Sequence, residues 1–493
     1  MNYLALPVRK DSALFAFAMR LPLQQKFFAA TLAAAFFLFL SASGRAQAQA
    51  ATVNWTDVHQ VIDGFGASTN SGMPLSTANQ NLFFGTGSGQ IGLSILRVAL
   101  TNGDEAPGDC TSVSTSCAGI HVAEMQGAIA NGARVYASPW SPPAQYMSNG
   151  STVCLNGSGN GSLLSSDYAA YATWLANFVQ SLKTEDNISL YAISIQNEPD
   201  QCQDYDSALW SASQIDTFIK NNLGPTFAAD SLSTLIFEPE GGNYNATVSL
   251  GASCATDSSC NQYVGGYNWH DYLSTMSGTN TVAADPYPSG WAAGKKYWET
   301  EASCMPVAGP NFCESGFTLD ITDGLDWGAV IDQRIAGDGA NAWLYWWLVD
   351  SSPSDNESLS DGGSNVAKRA YVMGQYSKFV RPGYYRIDAT RAPQSGVSVS
   401  AYQNTPTNTL VIVATNYTGS AVTQQFNITN APALSSMTPT TTSASLSLAT
   451  QPGVSVSNNS FTYTLPAQSI TTFVGNTSGP LPPSGLAGSV VTQ

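Results

Sequence analysis

Short apolar runs alternating with stretches of helical periodicity constrain this chain more than any other feature, and one step of the pattern shows what it means. Ser166 is placed to cap a helix whose apolar positions are Tyr168, Tyr171, Leu175, Phe178, Val179 and Leu182. Within a few residues the period changes. Tyr191-Ala192-Ile193-Ser194-Ile195 is strand-like and stops on Gln196-Asn197-Glu198-Pro199-Asp200. A helix feeding a buried strand is one αβ step of a layered architecture. Further strand-like runs are Val53 to Ile62, Ile91 to Leu100, Arg134 to Ser138, Thr234 to Glu238, Gly266 to Tyr272, Lys296 to Glu301 and Ala342 to Trp347. Helical stretches lie around Trp210, Ile215, Phe218, Ile219 and Leu223, and through Trp327, Val330 and Ile331. Asp63-Gly64-Phe65-Gly66-Ala67-Ser68 is read as a sharp turn. Such an alternation over about 320 residues fits an α/β chain folded as a (β/α)8 TIM barrel.

From about Tyr385 the character changes to short alternating segments such as Thr409 to Thr415, Val422 to Ile428, Ser460 to Thr464 and Ser469 to Val474. These predict an associated antiparallel β-sandwich over 385–475, with the Gly/Pro/Ser-rich stretch 476–493 as a disordered tail. At the other end, Arg9, Lys10, Arg20 and Lys26 precede the apolar run Phe27 to Leu40, and Ala46-Gln47-Ala48-Gln49-Ala50 offers small-residue cleavage sites. Residues 1–50 therefore read as a secretory signal peptide, with a membrane anchor as the alternative and Met19 as another start. No later run is apolar enough to span a bilayer, so an exported protein, extracellular or periplasmic and free of the membrane after cleavage, is expected.

The full chain carries −16; residues 1–50 hold five Lys/Arg and one Asp, so the remainder holds −20. So acidic a surface excludes nucleic acid as a natural partner. Cys110, Cys117, Cys154, Cys202, Cys254, Cys260, Cys304 and Cys313 all follow the leader. Their even number predicts disulfides, with the close pairs Cys110–Cys117, Cys254–Cys260 and Cys304–Cys313 leaving Cys154–Cys202. Neither a CxxC nor an HExxH motif occurs, and His59, His121 and His270 are the three histidines, so neither a metal nor another cofactor is expected.

In a barrel of this kind, polar residues at the carboxyl ends of strands tend to be catalytic. Glu198 ends the fourth strand and Glu301 the seventh, which places two carboxyls at one mouth. Such a pair is what glycoside hydrolysis needs, one acid protonating the leaving oxygen and one carboxylate working at the anomeric carbon. Glu299 competes for the second role, because residues two apart on a strand share a face; Glu301, nearer the strand end, is preferred. Arg97 inside an apolar run needs either a ligand or a structural ion pair beneath the site. Two prolines in Pro139-Trp140-Ser141-Pro142-Pro143 would hold Trp140 in a rigid loop.

These segments resemble glycoside hydrolase family 30. The likeness runs through Ile62-Asp63-Gly64-Phe65-Gly66, Leu93-Ser94-Ile95-Leu96-Arg97, Ser138-Pro139-Trp140-Ser141-Pro142-Pro143, Ser194 to Asp200, Trp298-Glu299-Thr300-Glu301, Gly374 to Tyr384 and Leu465 to Phe473. The resemblance implies a retaining hydrolase with Glu198 as acid/base and Glu301 as nucleophile. Asn197 would bond the sugar 2-hydroxyl, and Arg97 and Tyr272 would support the ionised nucleophile. His270 would line the site or make a structural hydrogen bond. Trp140 and Trp346 would offer faces to sugar rings, barrel packing being the alternative for Trp346. It also implies that residues 51–61 lend a strand to the sandwich, leaving 62–384 as the barrel. The stretches Asn365 to Met373 and Arg386 to Thr390 are most similar to the family's bacterial endo-β-1,4-xylanases. The expected partner is thus a plant cell-wall polysaccharide, acted on by a monomer. Loop 350–358, with Asp350, Asp355, Glu357 and no arginine, argues against dependence on glucuronate branches. Alternatives are a β-1,6-galactanase, a β-1,6-glucanase, a β-glucosidase or glucosylceramidase type, and a non-catalytic carbohydrate-binding protein on the same scaffold.

Overall fold

The computed structural model describes residues 49–69, 73–100, 121–157, 159–278, 280–304, 310–313, 316–351, 356–362 and 365–478. The expected Cys110–Cys117 bridge and nearly all of the leader lie outside these residues.

Eight parallel strands close into a barrel: Gly64–Ser68, Ile95–Leu100, Arg134–Pro139, Ala192–Ser194, Leu235–Gly241, Val264–His270, Lys296–Glu301 and Ala342–Val349, hereafter barrel strands one to eight. Strand seven pairs with strand eight to seal the cylinder. Strand one is the segment read as a turn, and its glycines explain the difference. A Cβ on Gly64 would meet Ser94 Oγ at 2.1 Å, and one on Gly66 would meet the Ile95 carbonyl oxygen at 2.3 Å. Here glycine serves close strand-to-strand approach rather than reversal. Ser166 does not cap its helix; a 3-10 turn, Ser165–Asp167, precedes Tyr168–Glu185, and the Ser166 hydroxyl donates to Asp167 Oδ2 at 3.0 Å.

The barrel is filled, not hollow. Ile95, Tyr136, Ala192, Phe237, Trp298, Ala342 and Leu344 form its inner cluster, with Phe237 and Trp298 edge to face at 4.9 Å. Helices cover the outside with faces such as Tyr171, Leu175, Phe178 and Leu182, all buried. At the amino-terminal end Asp63 accepts from Lys296 Nζ at 2.7 and 2.8 Å and from Trp298 Nε1 at 2.9 Å. Polar chemistry is therefore tied up at the bottom and left to the opposite mouth.

The second module is antiparallel apart from one pairing. Its sheet runs through Ser436–Ser443, Ser469–Ser478, Thr409–Asn416, Val397–Asn404, Tyr385–Ala389, Ala51–Val61, Val422–Thr429 and Ser460–Leu465. Phe426 and Phe473 touch at 5.3 Å although four strands separate theirs in the sheet, so the sheet folds over as two layers. Ala51–Val61 lies antiparallel to Tyr385–Ala389 and parallel to Val422–Thr429. The last strand continues through Ser478, past Gly475 into the stretch read as tail. The helix Lys368–Ser377 joins the modules: Gln375 Nε2 donates to Thr442 Oγ1 at 2.9 Å, and Thr472 Oγ1 to the Gln375 carbonyl at 2.6 Å.

Three of the expected disulfides form: Cys154–Cys202, Cys254–Cys260 and Cys304–Cys313. Among the described residues no helix is long and apolar enough to cross a membrane.

Candidate active site

The carboxyl mouth of the barrel gathers Arg97, Asn197, Glu198, Glu240, His270, Tyr272 and Glu301. Alternation on strand two carries Ile95 into the packed interior and, two residues on, Arg97 into the polar layer above it. Strand three does the same with Tyr136 and Ser138. The guanidinium is fully buried and both of its terminal nitrogens are engaged. Nη1 donates to Glu301 Oε2 and to Ser68 Oγ at 3.2 Å, and Nη2 donates to Asn197 Oδ1 at 2.7 Å and Glu240 Oε1 at 3.0 Å. Of the two readings of Arg97, the structure shows the ion pair, made with Glu301 and Glu240 at the barrel mouth.

Local irregularities aim the acids. Asn197 and Glu198 follow strand four, and Glu198 takes a left-handed φ of +44° while its backbone N–H donates to the Glu240 carbonyl at 3.0 Å. On strand seven the register slips between Glu299 and Glu301. That bulge separates two acids which strict alternation would have put side by side. Glu299 is spent on the backbone, accepting from the N–H groups of Glu301 at 2.9 Å and Leu344 at 3.0 Å, and burial pushes its carboxyl well above the usual range. Glu301 instead enters the mouth. Tyr272 Oη donates to its Oε1 at 2.6 Å, opposite the Arg97 bond to Oε2. Burial raises the Glu301 carboxyl, and nearby Glu198 adds to this, while His270, Arg97 and Tyr272 pull it back toward the charged form.

One oxygen of Glu198, one of Glu301 and a ring nitrogen of His270 all lie within 4.8 Å of one another. His270 Nδ1 is 2.9 Å from Glu198 Oε1 and 3.7 Å from Glu301 Oε1, and Nε2 is 3.5 Å from Glu240 Oε1. Burial alone would lower this imidazole, but the surrounding charges of Glu301, Glu198 and Glu240 hold it protonated, at about 10.

Trp140 and Trp346 sit over the Arg97 guanidinium at 4.9 and 5.5 Å and stack on each other at 5.8 Å. Trp346 is half-buried and also stacks on Trp347, so packing and an exposed aromatic face coexist there. Gln196 braces the wall, donating from Nε2 to the Trp140 carbonyl and accepting from Trp210 Nε1 at 3.4 Å.

Sequence reasoning passed over three of these neighbours. Glu240 is fully buried, accepts from Ser138 Oγ at 2.6 Å and pairs with Arg97. Burial would raise its carboxyl, but Arg97, His270 and Ser138 hold it down at about 2. Gln196 carries no sign of its bracing role in the sequence. Tyr205, partly exposed, has its hydroxyl pushed up by burial and by the charges of Glu198 and Glu301. Its loop is held by Cys154–Cys202 and by the Leu155 N–H donating to the Gln203 carbonyl at 2.8 Å. No local pattern marks a loop tyrosine for this position.

Comparison with known proteins finds two family models in this chain. The glycosyl hydrolase family 30 TIM-barrel domain matches residues 118–288, and the family 30 beta sandwich domain matches 383–473. The chain is 34% identical over 430 residues to a glucuronoxylanase, XynC, of Bacillus subtilis strain 168, covering 86% of this chain and 91% of that protein. Among solved structures it is similar to the family 30 subfamily 8 xylanase Xyn30A from Clostridium acetobutylicum, with TM-score 0.72, 33% identity, and 87% and 99% of the two chains covered. A family 30 endoxylanase from Clostridium papyrosolvens C71 gives TM-score 0.71 and 33% identity, covering 87% of this chain and all 100% of that one.

Proposed function

This chain belongs to glycoside hydrolase family 30, and from that premise we propose that it is an exported endo-β-1,4-xylanase working by double displacement, with Glu198 as acid/base and Glu301 as nucleophile. The observation that carries the chemistry is the carboxyl separation. Oxygens within 4.8 Å leave no space for a water between the second carboxylate and the sugar, as inversion requires. A pair at about 5 Å suits retention. In the first step a Glu301 oxygen bonds to the anomeric carbon as the glycosidic C–O bond breaks, and Glu198 gives its proton to the departing oxygen. In the second, water adds to that carbon and yields a proton to Glu198, the ester bond breaks, and the Glu301 carboxylate returns. Arg97, Tyr272 and the His270 imidazolium oppose burial at Glu301, keeping an attacking carboxylate within reach. Asn197, its Oδ1 held by Arg97, has its amide N–H free to meet a sugar hydroxyl, and Trp140 with Trp346 supplies an apolar wall.

The substrate follows from the relatives named xylanases. Independence from glucuronate follows from loop 350–358, whose acids would repel a glucuronate branch. Export follows from the leader-like residues 1–50, and the three disulfides fit an oxidising compartment. The test is product analysis on glucuronoxylan, arabinoxylan, unbranched xylan, β-1,6-galactan and β-1,6-glucan, with Glu198→Gln and Glu301→Gln alongside. Cleavage of all three xylans, lost in both variants, is expected. Activity confined to glucuronoxylan overturns the branch independence, and activity only on a β-1,6 polymer overturns the substrate. Binding without release of sugar overturns catalysis.

A further inference from the structure

Glu240 is a buried, ionised acid with no place in the two-step chemistry. The side chains that meet it include Arg97 from strand two, Tyr136 and Ser138 from strand three, and His270 from strand six. Its own strand slips register between Pro239 and Gly241, and Glu240 takes a left-handed φ of +59°, a conformation uncommon outside glycine. The backbone N–H of Glu198 rests on its carbonyl. The two cations it touches are the two that touch the reacting pair: Arg97 reaches Glu301, and His270 reaches Glu198 and Glu301 from the opposite ring nitrogen. His270 Nε2 has no hydrogen-bond partner among the described residues, so Glu240 at 3.5 Å is the counter-charge on that side of the ring.

We propose that Glu240 is a positioning residue of the reaction, holding the His270 ring charged and turned so that Nδ1 presents its proton to the two reacting carboxyls. The inference rests on the reading of Glu198 and Glu301 as that pair. A buried imidazole prefers to be neutral, and it stays charged here because three carboxylates surround it. Removing one of them, on the side away from substrate, lets the ring lose its proton at lower pH and frees it to turn.

The chain has three histidines, so the His270 ring can be followed by NMR in the whole protein. In Glu240→Gln the His270 titration and the alkaline limb of the pH profile of kcat/KM on xylan are both expected to move to lower pH. In the His270→Asn background, Glu240→Gln should move the limb no further. A merely structural role would lower activity at every pH and leave both titrations in place, and that result, or an equal shift in the His270→Asn background, overturns the proposal. If Glu240→Gln does not fold, Ser138→Ala, which removes the hydroxyl from Glu240 Oε2 and leaves the charge, should hold the His270 titration in place or raise it slightly; a fall to lower pH there overturns it. Activity surviving in Glu198→Gln and Glu301→Gln would show instead that the underlying catalytic reading had failed.

Discussion

Tyr272→Phe isolates one hydrogen bond with little other disturbance. The tyrosine is buried, its ring lies edge-on to His270 at 6.1 Å, and its hydroxyl has one carboxylate acceptor, Glu301 Oε1 at 2.6 Å. Phenylalanine keeps the ring and deletes a charge-assisted bond worth about 1.5–3 kcal/mol. The two half-reactions feel this differently. When Glu301 attacks, its charge is being spent, so the lost donor matters little. When the ester breaks, the charge returns and Tyr272 would be stabilising it as it forms. The deletion should therefore slow deglycosylation by up to about 10- to 150-fold, at ~1.4 kcal/mol per factor of ten. With an activated aryl glycoside the signature is a burst of the leaving phenol followed by a slow steady rate. Tyr272 also holds Glu301 toward its ionised form, so its loss raises that carboxyl and moves the acid limb of the pH profile upward. A kcat within twofold of the parent, with no burst and an unmoved acid limb, would refute this reasoning.

Three further outcomes can be checked. Asp285 pairs with Arg334 at 2.8 Å, yet burial, with Asp271 and Asp338 adding to it, raises its carboxyl to about 7. A folded-state value above the unfolded one stabilises at low pH and is lost as pH rises through about 7, so Asp285→Asn should flatten the fall in Tm between mildly acidic and neutral pH. Replacing Cys154 and Cys202 together by serine opens a loop of 48 residues and should cost about 4 kcal/mol of unfolding free energy by denaturant titration. In Gly242→Ala the new Cβ would lie 3.2 Å from Glu198 Oε1 and 3.5 Å from Asp200 Oδ2; displacing the acid by a few tenths of an ångström should lower kcat roughly tenfold with little change in Tm.

Much of this site was visible because it breaks local patterns. An arginine in an apolar strand, an acid stopped by proline and a His-Asp-Tyr sequence at a strand end are anomalies that composition makes conspicuous. What stayed hidden depends on bulges. Register slips at Glu299/Glu301, Pro239/Gly241 and Tyr345/Trp347 re-aim residues at the mouths of strands seven, five and eight. Alternation alone puts Glu238 and Glu240 on one face and gives no reason to prefer either. In the fold Glu238 is sealed away, its carboxyl pushed well up by burial and by Asp216, while Glu240 reaches Arg97. The first barrel strand was missed for a related reason. Its glycines look like turn signals until Ser94 Oγ is seen pressing against Gly64 and the carbonyl of Ile95 against Gly66. Pairings within short spacings, such as Cys254–Cys260, needed no such knowledge.

The strand Ala51–Val61 also sets a timetable. Thr429 Oγ1 reaches back to the Val53 carbonyl across 376 positions of sequence. Emerging from the ribosome or a secretion channel, the chain produces this strand more than 320 residues before either of its neighbours, Tyr385–Ala389 and Val422–Thr429. Throughout that interval Ala51, Val53 and Trp55 wait with two open edges, the condition under which strands pair wrongly. The barrel cannot simply be cut from the chain after Tyr384, because the severed piece would carry that unpaired strand permanently. Newly made protein thus finishes as a closed object only when its end has returned to its beginning.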